Sequence, residues 1–392
     1  MRFNLWEDCN RVPLTELLSF IVDNRGKTVP TAPSGHKLIA TNCVTNNTLF
    51  PVYDKIRYLS EETYQTWFRA HPIPGDILFV NKGTPGRVCL VPDPVDFCIA
   101  QDMIALRADE SKIYPKYLFT VLRSREIQQQ IYNTNVGDVI PHFKKQFLDQ
   151  LLIPIPERSI QESIGDLYYV LSLKAERNKK INDNLADLLQ TIYQERFGND
   201  ILAVNQGVLS DICSYSRDKV AVSELNVSTY FSTENMLSGK AGSTEATSLP
   251  TTSQTTACHK GDTLISNIRP YFKKIVYCEG NCGCSTDVLC FTPSQPCYSA
   301  YLFSTLYADK FFAFMVAGSK GTKMPRGDKQ QIMTYPVVLP SEEELAGFNT
   351  IASPLLEQIY SNRAENKRLS ILRDTLLPKL MSGEINVSAI QL

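Results

Sequence analysis

Two stretches of the chain carry apolar residues at alternating steps of three and four, the spacing of a helix with one apolar stripe. The first stripe consists of Ile160, Ile164, Leu167, Leu171, Ile181, Leu185, Leu188 and Ile192, with Lys174 and Asn178 at its polar positions. The second consists of Leu345, Phe348, Ala352, Leu355, Ile359, Leu369, Leu376 and Leu380, with Asn362, Asn366 and Arg373 at its polar positions. Each stretch therefore predicts a long helix.

A stripe of this kind needs a partner, and the other stripe of the same chain is the nearest one available. We therefore predict that the two helices pack antiparallel as a coiled-coil spacer between two globular domains. Asn178 and Asn366 occupy equivalent stripe positions, which is typical of residues that set coiled-coil register. The alternative is that each helix belongs only to the core of its own domain.

The second helix has a clear start signal. Ser341 precedes three glutamates, so we expect Ser341 to cap the helix and the acidic residues to occupy its first turn. Pro354 lies inside the apolar pattern. Because proline cannot donate a helical hydrogen bond, we expect a kink at Pro354 or the loss of the turns before it.

The segments outside the two helices are dominated by short strand patterns bounded by Gly and Pro turns. Strands are predicted at 76–80, 87–91 and 263–266, and helices at 115–130 and 299–314. This mixture predicts an α+β fold with two similar globular α/β domains.

The chain repeats itself once. A Gly-x-x-x-Pro motif that ends at Pro141 and a strand that ends at Pro156 recur at Pro325 and Pro340, 184 residues later in both cases. This period is much longer than that of a solenoid, so each copy is expected to be a domain followed by its own helix. The predicted ranges are 1–156 for the first domain, 157–198 for the central helix, 199–340 for the second domain and 341–384 for the C-terminal helix.

Composition then limits the class of protein. The 392 residues are 43% hydrophobic and 21% charged, as in ordinary globular proteins, and no stretch approaches the roughly 18 apolar residues of a membrane span. Eleven cysteines at irregular spacings argue against a secreted disulfide framework, so we expect reduced thiols and a cytoplasmic location. The net charge is −1, so any surface that binds nucleic acid must be a local patch.

Basic and small polar residues fill the turn between two predicted strands in each copy, at 81–87 and at 267–274. Arginine can bind guanine edges, asparagine can bind adenine edges and lysine neutralises phosphate. Because the turns recur at equivalent places, we favour a DNA interface over an ordinary charged surface. The turn residues predicted to bind DNA are Lys82, Thr84, Arg87, Asn267, Arg269, Lys273 and Lys274.

Two further basic clusters recur in the same way. One lies beside the proline motif, and its predicted DNA-binding residues are His142, Lys144, Lys145, Lys320, Lys323 and Arg326. The other lies near the start of each domain and comprises Arg25, Lys27, Arg217 and Lys219. Two similar but non-identical domains of this kind would recognise a split, asymmetric sequence of double-stranded DNA whose middle is not contacted.

Segments 230–236, 266–274, 321–328 and 376–385 resemble those of Type I restriction-modification specificity subunits, the HsdS family. The resemblance extends over essentially the whole chain. It implies a non-catalytic subunit without cofactor, in which each of two target-recognition domains recognises half of a bipartite site. It also implies that the helices set the spacing of the half-sites and bind two methyltransferase subunits, and that a translocating restriction subunit joins. The turn at 81–87 is shorter than its counterpart, which departs from the family pattern.

Two other functions compete with this one. Asp93, Glu110 and Lys112 fit the loose acid, acid-x-lysine pattern of magnesium-dependent nucleases, although the second copy lacks equivalent acids. A coiled-coil scaffold that does not bind DNA would explain the helices but not the basic turns. The chain has no glycine-rich cofactor turn, no P-loop and no Asn/Asp-Pro-Pro-aromatic tetrapeptide, so methyl transfer by this chain itself is not expected.

A zinc site is a further alternative. Cys278, Cys282, Cys284 and Cys290 are close in sequence, with Cys258 and His259 upstream, but structural zinc sites usually have paired short spacings. Alternation places Cys284 and Cys290 on or beside strands. Buried thiols without a metal are therefore the simpler interpretation.

Overall fold

The computed structural model describes residues 4–24, 27–134, 141–198 and 206–385 and divides into two compact units. Unit 1 consists of residues 1–179 and 364–392, and unit 2 of residues 180–363. Each unit combines a globular part with a portion of each long helix. The division into a domain, a helix, a second domain and a second helix, at 1–156, 157–198, 199–340 and 341–384, remains a prediction about functional domains.

Unit 1 is an α+β unit of short elements that ends in a long helix. Its helices are α1 (Leu5–Asp8), α2 (Glu61–Thr66), α3 (Pro115–Leu122), α4 (Arg125–Thr134) and the first part of α5 (Arg158–Tyr193), together with the end of α10 (Glu342–Met381). Its strands are β1 (Asn10–Pro13), β2 (Leu18–Val22), β3 (His36–Ile39), β4 (Arg57–Leu59), β5 (Ile77–Val80), β6 (Val88–Leu90), β7 (Phe97–Ile99), β8 (Met103–Ala108) and β9 (Leu152–Ile155). These strands form sheets in the orders β1-β9, β2-β8-β5-β6 and β4-β3-β7, and the β3–β7 pair is parallel.

The core of unit 1 lies where α3 meets the β2-β8-β5-β6 sheet and the start of α5. Phe79, Tyr117 and Phe119 are fully buried there, and the Tyr117 hydroxyl donates to the Pro154 carbonyl at 2.8 Å. Gly165 of α5 allows the close approach to α3, since a Cβ at this position would lie 2.6 Å from the Tyr117 nitrogen. Helix α5 is therefore part of the core of unit 1.

Unit 2 repeats this plan. Its strands are β10 (Gln206–Val208), β11 (Cys213–Tyr215), β12 (Lys219–Ala221), β13 (Tyr230–Phe231), β14 (Gln254–Cys258), β15 (Thr263–Ser266), β16 (Ile275–Tyr277), β17 (Cys282–Cys284), β18 (Val288–Pro293) and β19 (Pro336–Val338). Its helices are α6 (Leu209–Ile212), α7 (Ser299–Tyr307), α8 (Asp309–Ala317), α9 (Lys329–Met333) and the first part of α10 (Glu342–Met381), together with the end of α5.

The sheets of unit 2 match those of unit 1 in two cases out of three. The β10-β19 pair corresponds to β1-β9, and the order β11-β18-β15-β16 corresponds to β2-β8-β5-β6. The remaining sheet, β12-β14-β17-β13, has one strand more than β4-β3-β7. The α+β class and the internal repeat predicted from the sequence are therefore confirmed, and the variation lies in the third sheet.

The predicted short elements are also present. Strands β5, β6 and β15 lie within the predicted strand ranges, but each predicted single helix is a pair, α3 with α4 and α7 with α8. Ser341 caps α10 as expected: the Glu344 nitrogen donates to its Oγ at 3.3 Å, and the Glu344 carboxylate accepts from its nitrogen at 2.8 Å. The turns before Pro354 are not lost, because α10 runs through it without interruption, and a kink at Pro354 stays a prediction. Among the described residues, no helix is long and apolar enough to cross a membrane.

Within each unit the two helix portions pack antiparallel. In unit 1, Ile164 of α5 lies beside Leu380 of α10, while Asn178 donates to Asn366 Oδ1 at 2.9 Å and to Glu365 Oε2 at 2.6 Å. In unit 2, the Tyr193 ring contacts the Phe348 ring, with centroids 6.4 Å apart. Farther along that contact, Asn362 donates to Asn182 Oδ1 at 2.8 Å. Hydrogen-bonded asparagine pairs therefore lie in the helix contacts of both units.

Some predicted stripe residues lie off these contacts. Ile164, Asn178 and Ile359 are buried, and Leu171, Leu185, Leu355, Asn366, Leu369 and Leu376 are half-buried. Ile181 and Leu188, however, are 45% and 47% exposed, and the residues that follow them, Asn182 and Leu189, are buried instead. A straight helix drifts about 20° per heptad from a strict seven-residue repeat, which over four heptads approaches one residue. The heptad track assigned from the sequence is thus one position out of phase late in α5.

The Asn178 contact predicts a specific loss of stability. Asn178→Ala removes two hydrogen bonds at a buried position and should lower the free energy of unfolding by about 1–3 kcal/mol. Equilibrium urea unfolding measures this change. Asn184→Ala is the matched control, because Asn184 is exposed on the same helix and its loss should change stability by no more than about 0.5 kcal/mol. Equal effects of the two substitutions would contradict a stabilising role for the asparagine contact.

Candidate nucleic-acid interface

In unit 1 the basic turn between β5 and β6 is hydrogen-bonded through its main chain to the segment at the end of the proline motif. Lys82 and His142 form an isolated antiparallel bridge. The Gly83 nitrogen donates to the Pro141 carbonyl at 3.0 Å, and the Phe143 nitrogen donates to the Asn81 carbonyl at 2.8 Å. Two of the three predicted basic clusters of this unit therefore lie side by side.

Unit 2 makes the same contacts at the repeat-equivalent positions. Ile268 and Arg326 form the bridge. The Arg269 nitrogen donates to the Pro325 carbonyl at 2.8 Å, and the Gly327 nitrogen donates to the Asn267 carbonyl at 3.3 Å. Each turn residue lies 186 positions, and each proline-segment residue 184 positions, after its counterpart in unit 1. We call this arrangement of turn and proline segment the paired loops (81–87 with 141–145, and 267–274 with 320–327).

Most predicted contact residues are accessible on the paired loops. In unit 1, Lys82, Arg87, Lys144 and Lys145 are exposed, and Thr84 and His142 are half-buried. In unit 2, Lys320, Lys323 and Arg326 are exposed, and Arg269, Lys273 and Lys274 are half-buried. Both units thus present several cations on adjacent loops.

Asn267 differs from the expectation for a base-contacting residue. Asn81 and Asn267 occupy equivalent places at the ends of β5 and β15 and are only 3% and 6% exposed. Their backbone nitrogens donate to the Asp102 and Asp287 carbonyls, each at 2.8 Å. Their Oδ1 atoms are buried without a hydrogen-bond partner in the described part of the chain. The structure therefore places Asn267 under the turn, where its main chain joins the two loops.

Acidic neighbours orient the cations of unit 2. Arg326 pairs with Asp287 at 3.0 Å, Lys320 with Asp328 at 2.5 Å and Lys273 with Asp309 at 3.0 Å. A hydrogen bond from Lys320 holds the pKa of Asp328 below the usual aspartate value, and hydrogen bonds from Lys240 and Lys273 do the same for the pKa of Asp309. The cations are therefore held in place by partners that phosphate groups can replace or supplement.

The third predicted cluster is only partly joined to the other two. Arg25 lies outside the described residues. Lys27 is exposed, and Lys145 contacts Asp23, which brings the segment before Lys27 to the paired loops of unit 1. Arg217 and Lys219 are exposed, but Lys219 lies on β12 opposite Thr256 of β14. The described contacts of this strand therefore lead to the third sheet and not to the paired loops.

Sequence reasoning based on charge did not select the exposed apolar residues of the paired loops. Tyr271, Phe272 and Met324 are all exposed in unit 2. The only sequence signal was their inclusion in the segments that carry the family resemblance. Helix α4 was also missed as a support, although Gln128 Nε2 donates to the Gly86 carbonyl at 2.8 Å and so braces the turn of unit 1.

The nuclease pattern is not assembled into a metal site. Asp93 and Glu110 do line one cavity, but Lys112 pairs with Asp109 at 3.3 Å and donates to the Glu16 carbonyl at 2.9 Å. Among the described residues, no group of three or more His, Cys, Asp and Glu side chains is placed to hold a metal ion. The acid, acid-x-lysine pattern therefore has no support in the geometry.

The five cysteines of the zinc alternative lie in an apolar cluster with Met236, Leu264 and Val276. All five are buried, on or beside β14, β16, β17 and β18, and the Sγ atoms of Cys278 and Cys282 lie 3.5 Å apart. Hydrogen bonds from Cys258 and Cys278 lower the pKa of the Cys282 thiol. The cysteines act here as small apolar residues that also hydrogen-bond to one another.

Comparison with known proteins shows a related domain in the first part of the chain. Residues 19–196 match the family model described as the Type I restriction modification DNA specificity domain. This span holds one copy of the repeat, since it begins in β2 and ends within three residues of the end of α5. This part of the chain is therefore similar to the DNA specificity domain of Type I restriction-modification systems.

Individual relatives match over shorter stretches. The specificity subunit of the Type I restriction enzyme MjaIX of Methanocaldococcus jannaschii is 34% identical over 73 residues, 19% of this chain and 17% of that protein. The HindI specificity subunit of Haemophilus influenzae is 24% identical over 153 residues, 38% of this chain and 33% of that protein. The chain thus spans a third or less of these relatives in alignment.

One solved structure shares the fold along its whole length. The S subunit of the Type I restriction-modification system of M. genitalium superposes with a TM-score of 0.60 over 97% of this chain and 98% of that one. Sequence identity between the two is 17%, so this likeness concerns the fold alone.

The burial of the cysteines predicts how the thiols react. Cys297 is exposed and Cys9 half-buried, while the other nine are buried. In the native protein a thiol reagent should therefore label one cysteine quickly and a second more slowly, and all eleven only after denaturation. Absorbance of the released thiolate from Ellman's reagent counts them.

Cys297→Ser is the control and should abolish the fast phase. Metal analysis of the same chelator-washed sample should find far less than one zinc per chain. A stoichiometric metal whose removal exposes further thiols would show that the cysteine cluster is a metal site.

Proposed function

We propose that this chain is the DNA-recognition subunit of a Type I restriction-modification complex and that each unit binds one half of a bipartite site through its paired loops. The observation that carries the proposal is the recurrence of the same backbone contacts between turn and proline segment in both units. A basic surface that occurs once is common, but a duplicated scaffold that presents cations at both copies is what recognition of two half-sites requires. Phosphate contacts of these cations would orient each unit on the duplex.

The two half-sites are expected to differ in sequence. The turn of unit 1 presents Lys82, Thr84 and Arg87, whereas that of unit 2 presents Arg269, Tyr271 and Lys274. Base discrimination depends on the side chains that meet base edges in the groove. Different side chains on equivalent scaffolds therefore support an asymmetric site.

We also propose that the helix portions bind the methyltransferase subunits, one for each unit, and that a restriction subunit joins the complex through them. Each unit has three exposed apolar residues on its helix portions, Val170, Ile371 and Leu372 in unit 1 and Ile181, Leu188 and Ile351 in unit 2. Single exposed apolar residues are ordinary. Their presence on both helices of both units supports a protein contact. Methylation and cleavage of DNA would then be catalysed by the partner subunits.

The central test is to map methylated DNA. Cells that express this chain with its methyltransferase should methylate one bipartite, asymmetric sequence, as seen by long-read sequencing. Arg269→Ala should relax the sequence at a single base of one half-site, because a bidentate arginine contact contributes about 1–3 kcal/mol of base discrimination. Arg269 is half-buried on the turn, and its Nε atom is buried without a hydrogen-bond partner among the described residues.

Lys323→Ala separates base recognition from phosphate binding. Lys323 is exposed, and its loss should weaken binding to all sequences alike and reduce the salt dependence by roughly one counterion. Purified complexes, titrated with DNA at several salt concentrations, give both quantities. The contact assignment is wrong if neither variant alters DNA binding, and the function itself is wrong if methylation does not depend on this chain.

The methyltransferase contact can be tested on α10. Leu372→Asp places a charge within the exposed apolar residues of unit 1 and should weaken binding of one methyltransferase subunit by tenfold or more, as measured by calorimetry. Ser382→Asp adds the same charge at an exposed position beyond α10 and should leave assembly unchanged. If Leu372→Asp assembles as tightly as the unsubstituted chain, this face of the helix is not the docking surface.

A further inference from the structure

We propose that Tyr271 is the apolar base contact of unit 2, and that its ring packs against base faces or thymine methyl groups of bound duplex DNA. This inference rests on the proposed DNA-binding function and goes beyond it, because it assigns a specificity-determining residue that is not a cation. The chemistry would be dispersion and desolvation at base edges or faces, in addition to the phosphate and guanine contacts of the neighbouring cations.

The backbone that presents Tyr271 is strained. Pro270–Phe272 form a single 3₁₀ turn, and the residues on either side, Arg269 and Lys273, both have φ of 50° in the left-handed region. Residues with a Cβ avoid this region, and each such residue costs on the order of 1 kcal/mol. Two of them around one three-residue turn indicate that neighbouring structure enforces the conformation.

The neighbouring contacts are present on both sides of the turn. Before it, the Arg269 nitrogen donates to the Pro325 carbonyl at 2.8 Å. After it, the Phe272 and Lys273 carbonyls accept from the Gly239 and Lys240 nitrogens at 2.8 and 2.9 Å. Asp309 at the start of α8 binds the ammonium groups of Lys240 and Lys273 at 2.6 and 3.0 Å. The turn is therefore rigid before any ligand arrives, so binding would not have to order it.

This rigid turn places its largest apolar side chain in solvent. Pro270 is buried and anchors the turn, whereas the Tyr271 side chain is 50% exposed and lies against the Phe272 ring at a centroid distance of 4.8 Å. Met324, on the loop that accepts from Arg269, is 48% exposed. A fold that is strained in order to expose apolar groups suggests a binding role for them.

Charge around the turn identifies the occupant as a polyanion with apolar surfaces. The loops that carry Tyr271 and Met324 also carry Arg269, Lys274, Lys320, Lys323 and Arg326. An apolar residue among cations suits DNA, in which stacked bases and methyl groups lie between rows of phosphates. Proteins that insert or press apolar side chains against base steps combine these same two features.

The equivalent turn of unit 1 is formed without an aromatic residue. Its turn contains Gly83 and Gly86, both with φ of 85°, so glycine takes the left-handed positions that Arg269 and Lys273 take in unit 2. No aromatic residue occurs between Lys82 and Arg87. The half-site bound by unit 1 therefore serves as an internal control for any effect of Tyr271.

The test uses the assembled complex and duplexes that carry the methylated sequence mapped in cells. Tyr271→Ala should weaken binding to this sequence by about 5- to 100-fold, whereas Tyr271→Phe should bind within about twofold of the unsubstituted protein, because the ring and not the hydroxyl makes the contact. The salt dependence of the DNA affinity should not change in either variant. Loss of base discrimination should be confined to the half-site bound by unit 2. Tyr53→Ala removes an exposed ring in unit 1 and should have no effect.

Modified duplexes distinguish the two modes of contact. A rise in 2-aminopurine fluorescence that depends on Tyr271 supports contact with an unstacked base face. Deoxyuridine in place of thymine removes the methyl group from the duplex. If this change weakens DNA binding by the unsubstituted protein but not by Tyr271→Ala, it supports contact between Tyr271 and the methyl group. The inference is overturned if Tyr271→Ala binds DNA with unchanged affinity. It is also overturned if Tyr271→Ala loses the same affinity for all sequences and its DNA binding becomes less dependent on salt. Loss of methyltransferase assembly with intact DNA binding also overturns it, since the turn would then be a protein contact.

One result would overturn the proposed function as well. If the unsubstituted complex binds the mapped sequence no better than unrelated DNA, the failure belongs to DNA recognition by the chain and not to Tyr271. Thermal melting of Tyr271→Ala should match that of the unsubstituted chain, because the replaced side chain is half in solvent.

Discussion

The main-chain junction between a strand-end asparagine and the segment after the proline motif is the contact on which the paired loops depend. Buried backbone groups need hydrogen-bond partners, and here the N–H and C=O groups of two irregular loops satisfy each other. Because the junction uses main-chain atoms, it places no demand on the exposed side chains. The loops of the two units can therefore differ in residue type while they keep the same geometry, and specificity can vary on an unchanged scaffold.

The asparagine contacts between the helix portions impose a second constraint. Asn178 with Asn366 in unit 1, and Asn182 with Asn362 in unit 2, satisfy polar atoms that would otherwise be buried without partners. A shift of either helix by one turn would separate both pairs and cost the desolvation of each amide. An apolar contact of equal area would tolerate such a shift more easily, so the asparagines favour one register.

Sequence reasoning recovered the repeat, the strands that flank the basic turns and the Ser341 cap, because each of these depends on a local pattern. It could not place the helix contact correctly near Ile181, since the stripe of a real helix drifts from the heptad track. The burial of Asn267 could not be predicted from the sequence either. A polar residue after a strand can face the core or the solvent, and tertiary contacts determine which. The exposure of Tyr271 depends on two left-handed residues enforced by distant segments, and no local pattern predicts them.

The two turns show how the same scaffold can support different recognition chemistry. Glycine adopts left-handed φ at little cost but brings no side chain, so the turn of unit 1 exposes backbone, lysine and arginine. Arg269 and Lys273 adopt it with strain, which the Pro325, Gly239 and Lys240 contacts offset, and the turn of unit 2 gains a side chain at every position. Conformational strain is therefore what allows unit 2 to present a longer and more apolar surface. Replacement of these residues by glycine would relieve the strain but remove the cations beside Tyr271, so stability and recognition oppose each other in this turn.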